Sequence, residues 1–282
     1  MSVNVSPFRV AAAPTLPPSI RAEGRLFVAA RRAGDRHAAE RISESGPLRI
    51  RFPRIADSGR LEGVLINTAG GIAGGDRLHY ECTAAEGTSF AVTSQAAEKI
   101  YRSSGETSRV DVRLEAAAKS RLAWLPQETI VFDRARVRRS LRADIAADAE
   151  VTVCEAVVFG RAAMGETVRT GAFEDCWRIF RGGKLVFADT LRLDGRIERL
   201  LSQEAVSAGN ACIATIAQFA PDAEARLEAV RAALGEENNA AASAFEGMLV
   251  FRAVAPDSLT LRRIVLKVLA AAGAPPPRAF TL

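Results

Sequence analysis

Five acidic residues stand in strand-like, mostly apolar surroundings: Glu128 and Asp133 in LPQETIVFD, Glu155 in TVCEAVVFG, Glu166 in AAMGE and Asp189 in LVFADTL. An unpaired carboxylate in such a setting is costly, so each must meet an arginine or face a water-filled space. As a set they offer oxygen ligands to a metal ion in passage. Histidine chemistry has less support. His37 lies in the polar run RRAGDRHAAER and is expected to be solvated, and His79 is out of phase with Leu78 and Tyr80. A Ser-His-Asp or Cys-His arrangement would need one of these two, and the chain has no G-x-S-x-G elbow. The four cysteines, Cys82, Cys154, Cys176 and Cys212, are far apart and form no CxxC pair. That spacing argues against structural zinc and against a disulfide framework. Cys82 and Cys154 occupy apolar-phase positions and are expected to be buried thiols.

The run INTAGGIAGGD, Ile66 to Asp76, invites a phosphate-binding reading. A Walker-type loop needs a following Lys and helix, and a dinucleotide loop needs GxGxxG at a strand-to-helix turn. Neither is present, because the next segment, RLHYECTA, alternates like a strand. The glycines are therefore expected to permit positive φ or close backbone approach.

From Gly24 to about Leu193 the dominant pattern is alternation. Leu78, Tyr80 and Cys82 share one face, and Val110, Val112 and Leu114 another. In CWRIFRGGKLVFADTLRL, Trp177 and Ile179 precede a Gly182-Gly183 turn, and Leu185 and Phe187 resume the phase, which predicts a hairpin. No internal sequence repeat stands out. The last third predicts helices over about 221–235, with Ala225, Leu227, Val230 and Leu234 as a stripe, and over 257–272, capped by Asp257 or Ser258. The fold class is mainly β, one body over 21–282 with a small C-terminal helical addition. Residues 1–20 are expected to be a flexible tail.

The formal net charge is +5, but the arginines are spread along the chain and aromatics make up only 6%. That pattern disfavours nucleic acid and suits an acidic protein partner. No apolar run reaches the eighteen or so residues that a membrane span requires. The N-terminus lacks a signal-peptide pattern, so a cytoplasmic location is expected.

LINTAGGIAGGDRL, TSQAAEKIYRS, WLPQETIVFD, GRAAMGE and DCWRIFRGGKLVFADTLRL, in this order, closely resemble the urease accessory protein family called UreD (UreH in some organisms). APPPRAF resembles the family's terminal Pro-Pro-Arg-aromatic signature, with Phe280 where Trp is usual; Ser94 stands where Thr is common. The resemblance implies a non-enzymatic scaffold, often described as β-helical, that binds UreF and through it the GTPase UreG. The complex docks on apo-urease and promotes lysine carbamylation and nickel insertion. No tightly bound cofactor is implied, only transient Ni²⁺, for which a tunnel through such proteins has been proposed. On that basis Glu128, Asp133, Glu155 and Glu166 are expected to face the passage, with Asp76 as an outside candidate. A pure docking module with no metal path remains the alternative reading, and a hydrolase using the glycine-rich loop a distant third.

Overall fold

The computed structural model describes residues 21–54, 59–161 and 164–281; the expected N-terminal tail lies outside them. Seven strands form one sheet: β1 (Glu23–Ala33), β2 (Arg36–Ser45), β5 (Arg77–Ala84), β8 (Ser108–Ala116), β11 (Arg136–Ile145), β13 (Gly171–Arg181) and β14 (Lys184–Gly195). The second sheet holds β3 (Leu48–Arg51), β4 (Leu61–Asn67), β6 (Ser89–Ser94), β9 (Arg121–Trp124), β12 (Glu150–Phe159), β15 (Cys212–Phe219), β16 (Ala240–Phe245) and β17 (Met248–Ala255). The short strands β7 (Glu98–Ile100) and β10 (Thr129–Val131) join it through β12.

The chain winds between the two sheets. β5 passes to β6, β8 to β9 and β11 to β12 through four-residue corners, and each coil lies parallel on the one before. This is the stacked, solenoid-like scaffold expected for the body. The corners stack as well: Ala85, Ala117 and Ala146 each accept the backbone N–H three residues on, at 3.1 to 3.2 Å. The same small residue recurs at the three equivalent corner positions, half-buried at Ala85 and Ala146 and exposed at Ala117. The structural repeat of about thirty residues is carried by such small positions rather than by a recognisable motif.

Inward side chains stack in rungs. Tyr80, Val112, Leu141 and Trp177 form one, and Leu78, Val110, Arg139 and Asp175 the next. The opposing sheet contributes Val92, Trp124, Val151, Val153 and Phe159 to the same core. β12 is buried on both faces, as a strand covered on either side must be. Its other face, with Cys154 and Ala156, joins β15 and β17 under a helical layer. That layer comprises α2 (Leu227–Leu234), α3 (Ser258–Ala271) and the single turn α4 (Arg278–Thr281); α1 (Ile197–Leu201) lies elsewhere, after β14.

The helices match their sequence signals with one revision. Asp257 caps α3 by accepting the Thr260 N–H at 2.8 Å, and Leu261, Ile264, Val265, Val268 and Leu269 form its buried stripe. Before α2, however, Ala223–Arg226 is a 3-10 turn, so Ala223 turns inward and Ala225 is exposed. The β13–β14 hairpin forms with positive φ at Gly182 and Gly183. A bulge near Ile179 and Phe180 shifts the register, pairing Phe187 with Ile179 but Leu185 with Phe180. Leu185 therefore turns out to solvent instead of sharing the phase of Phe187.

Candidate functional site

The six acids singled out from the sequence do not converge. Glu128 is buried and accepts Arg262 Nε at 2.8 Å and Nη2 at 2.5 Å, tying α3 to the segment before β10. Asp76 is buried and accepts the N–H groups of Ala22 and Ala73, each at 2.8 Å. Asp133 accepts those of Arg169 and Thr170 at 2.8 and 3.0 Å. Glu166 accepts Arg161 Nε at 2.6 Å and, more weakly, the Asp133 N–H at 3.4 Å. Asp189 pairs with Arg252 at 2.7 Å. No three His, Cys, Asp or Glu residues are grouped as metal ligands among the described residues. Of these acids Glu155 lines the cavity between the two sheets, whereas Asp133 and Glu166 line a separate, open surface pocket.

That cavity, about 200 Å³, lies between the two sheets. Its rim is made by the exposed Gly70, Gln95, Ala96 and Lys99, and its wall by Tyr80, Val112, Trp124, Thr129 and Glu98. At its inner end Arg139 meets two carboxylates from opposite sheets. It lies 3.0 Å from Glu155 Oε2, donates to Asp175 Oδ2, and donates to Thr129 Oγ1 at 2.8 Å. Trp124 Nε1 donates to the other oxygen of Glu155 at 2.9 Å, and Phe173 lies under the guanidinium at 5.4 Å.

Burial sets the electrostatics of this chamber. It pushes the Glu155 carboxyl above its ordinary value, and Arg139 opposes that rise. Burial also works against the Arg139 charge, but Asp175 and Glu155 outweigh it and hold the guanidinium firmly protonated. The Tyr80 phenol is held far above its usual range, first by burial and then by Glu98. Cys82 and Cys154 are buried and their thiols are pushed up by burial too, in keeping with the inert thiols expected.

Glu98 is half-buried on the cavity wall, accepting Asn67 Nδ2 at 3.1 Å, and burial raises it above 4.5. The folded protein thus holds this proton more tightly than the unfolded chain. The resulting stabilisation is complete below the ordinary glutamate value and is lost as pH rises through the raised one. Glu98→Gln, which cannot ionise, is expected to raise the melting temperature at about pH 8 and leave it unchanged at about pH 4. Thermal melts at both values check this; an equal effect at both would contradict it.

Arg139 and Asp175 were not picked out from the sequence, although a signal was there. Arg139 shares the phase of Val137, Leu141, Ala143 and Ile145, and Asp175 that of Phe173, Trp177 and Ile179. A charge at an inward phase marks a paired core group or a site. His37 also departs from expectation. It is half-buried and accepts the Ser89 N–H at Nδ1 (3.2 Å), with its pKa lowered by burial and then by Arg32.

The glycine-rich loop serves backbone approach. Ile72 N–H donates to Lys99 O at 2.7 Å and Tyr101 N–H to Ile72 O at 2.8 Å, so the loop lies as an extra rung beside β7. Gly71, at φ +154°, sits where a Cβ would collide with the Tyr101 ring.

Relatives share this chain's sequence over nearly all of its length. A family model described as UreD urease accessory protein matches residues 22–279. A "Urease accessory protein UreD" of Methylobacterium sp. (strain 4-46) is 47% identical over 277 residues, covering 95% of this chain and 97% of that protein. One from Azorhizobium caulinodans is 45% identical over 264 residues, covering 93% and 97%. "Urease accessory protein UreD 3" of Bradyrhizobium sp. is 48% identical over 236 residues, covering 83% and 84%. With a family model spanning almost every described residue and relatives this similar along their whole lengths, the chain belongs to the UreD urease accessory protein family.

Proposed function

We propose that this protein is a urease maturation scaffold that docks, with UreF and through it UreG, on apo-urease and passes nickel toward the urease active site. Nickel here is cargo and not a resident cofactor. The observation that carries the reading is the chamber between the sheets, which reaches an exposed rim and carries Glu98, Glu155 and Asp175 on its walls. Oxygen donors hold a first-row divalent ion less tightly than imidazole or thiolate would. A conduit needs that weakness, because an ion bound too well does not leave. The three buried cysteines point to no such path, and the cavity has no histidine on its wall.

A docking module without a metal path is the competing reading. It draws support from the way Asp76, Glu128, Asp133 and Glu166 are all bonded to protein donors. Val112→Trp separates the two. Val112 is on the cavity wall, remote from the chain surface, so an indole there fills the chamber without changing an acid or an outer face. In cells making the cognate urease, the variant is expected to co-purify with apo-urease while the nickel content of the urease falls several-fold. Full nickel content with the variant in place would leave the docking module as the function. No helix among the described residues is long and apolar enough to cross a membrane.

A further inference from the structure

The inner end of the chamber holds a cation already. Asp175 comes from β13 in one sheet and Glu155 from β12 in the other, and the Arg139 guanidinium is bonded to both. Each carboxylate has few other donors. Trp124 Nε1 serves one oxygen of Glu155, and among the described residues Asp175 has no side-chain donor besides Arg139. Two buried carboxylates that share one site cannot both stay ionised without a cation between them. A covalently attached cation meets that need at high effective concentration. It also occupies the place that an incoming ion would have to take.

We propose that Glu155 and Asp175 form a two-carboxylate cation-exchange site, filled at rest by Arg139 as a tethered counter-ion and yielded to a divalent cation in transit. The inference rests on the reading of the chamber as a cation passage. The guanidinium is carried on a long stem and borders a cavity of about 200 Å³ into which it can turn. A divalent ion then brings two charges where the guanidinium brings one, and the carboxylate oxygens ligate it without the tight hold of imidazole or thiolate. Competition from the tether keeps the ion's residence short. Arg139 thereby sets the site's affinity without being a ligand.

The test uses the purified full chain and Ni²⁺ alone. Isothermal titration compares wild type, Arg139→Gln and the triple variant Arg139→Gln/Glu155→Gln/Asp175→Asn. Arg139→Gln is expected to bind one Ni²⁺ about tenfold tighter than wild type or better, and the triple variant to lose that gain. An affinity within about twofold of wild type, or a gain that survives in the triple variant, overturns the proposal. If Arg139→Gln fails to fold, tryptophan emission gives a second measurement, since Trp124 bonds to Glu155. Millimolar Ni²⁺, a paramagnetic quencher, is expected to quench wild type and to spare Glu155→Gln/Asp175→Asn; equal quenching overturns the proposal. The outcomes are separable from those of Val112→Trp. A null titration beside a nickel loss in Val112→Trp removes the exchange site and leaves the passage. A gain in Arg139→Gln beside full nickel delivery by Val112→Trp removes the passage.

Discussion

Replacing Arg262 by Met is expected to lower the unfolding free energy by about 3 kcal/mol, at the lower end of what breaking a buried ion pair costs. Glu128 is only 5% exposed and depends on Arg262 for both of its side-chain hydrogen bonds. The same guanidinium donates to Gln127 Oε1 at 2.9 Å and to the Phe280 carbonyl at 3.2 Å, and it sits 5.5 Å from the centre of the Phe280 ring. One side chain therefore joins the segment before β10, helix α3 and the terminal aromatic. Methionine keeps much of the stem's volume but orphans a carboxylate and two carbonyl oxygens together. Arg262 is partly exposed, which admits water to the broken pair and keeps the cost from reaching the upper end of that range. Glu128→Gln in the Arg262→Met background removes the orphaned charge and should restore about half of the loss. Urea denaturation of the two variants and wild type checks both statements. A loss below about 0.5 kcal/mol would class the pair with ordinary surface bridges.

Gly71→Ala is expected to cost about 2–4 kcal/mol through steric conflict with the backbone geometry. The added Cβ collides with Tyr101 Cε2, lies 2.8 Å from Tyr101 Cζ and 3.0 Å from Lys99 O. Tyr101 cannot easily give way. Its hydroxyl donates to Gly70 O at 2.8 Å, and its ring packs edge-on against Phe132 at 5.2 Å. Gly70 is the internal control. Its φ is +74°, but a Cβ there meets nothing within 4 Å, so Gly70→Ala should cost only about 1 kcal/mol for the left-handed conformation. Denaturant midpoints of the two variants give the comparison, and equal losses would show that φ, not the ring, decides. Gly70, Ile72 and Lys99 also border the chamber, so the same substitution disturbs its rim.

Much of this fold is legible in the sequence, because alternation reports directly which face of a strand is covered. Val110, Val112 and Leu114 read correctly, as do the Gly182-Gly183 turn and the Asp257 cap of α3. Which strands pair is less visible. Parallel neighbours about thirty residues apart leave no turn signature of their own, and only the column Ala85, Ala117 and Ala146 hints at the repeat. The candidate site was legible in part. Glu155 was found by its apolar neighbours, but the same test also selected Glu128, whose partner Arg262 is 134 residues away. Sequence context shows that an acid is unusual; it does not show whether an arginine awaits it. Glu98 and Asp175 were missed because each has a charged immediate neighbour, Lys99 and Glu174, so each reads as part of an exposed charged pair; the phase of the strand gives Asp175 away.

The antiparallel turn of the second sheet after β12 has a consequence for synthesis. The coils through β12 lie parallel and in order, so each can settle on its predecessor as it leaves the ribosome. The outer face of β12, with Cys154 and Ala156, has no cover until the helical layer that also lies over β15 and β17, with α3 and Phe280, has been made. From the end of β12 at Phe159 to the start of α3 at Ser258 the nascent chain therefore carries an apolar surface whose lid has not yet been made. A chain assembled in this order is most exposed to aggregation before the helical layer is made, so the timing of that layer's synthesis matters as much as its packing.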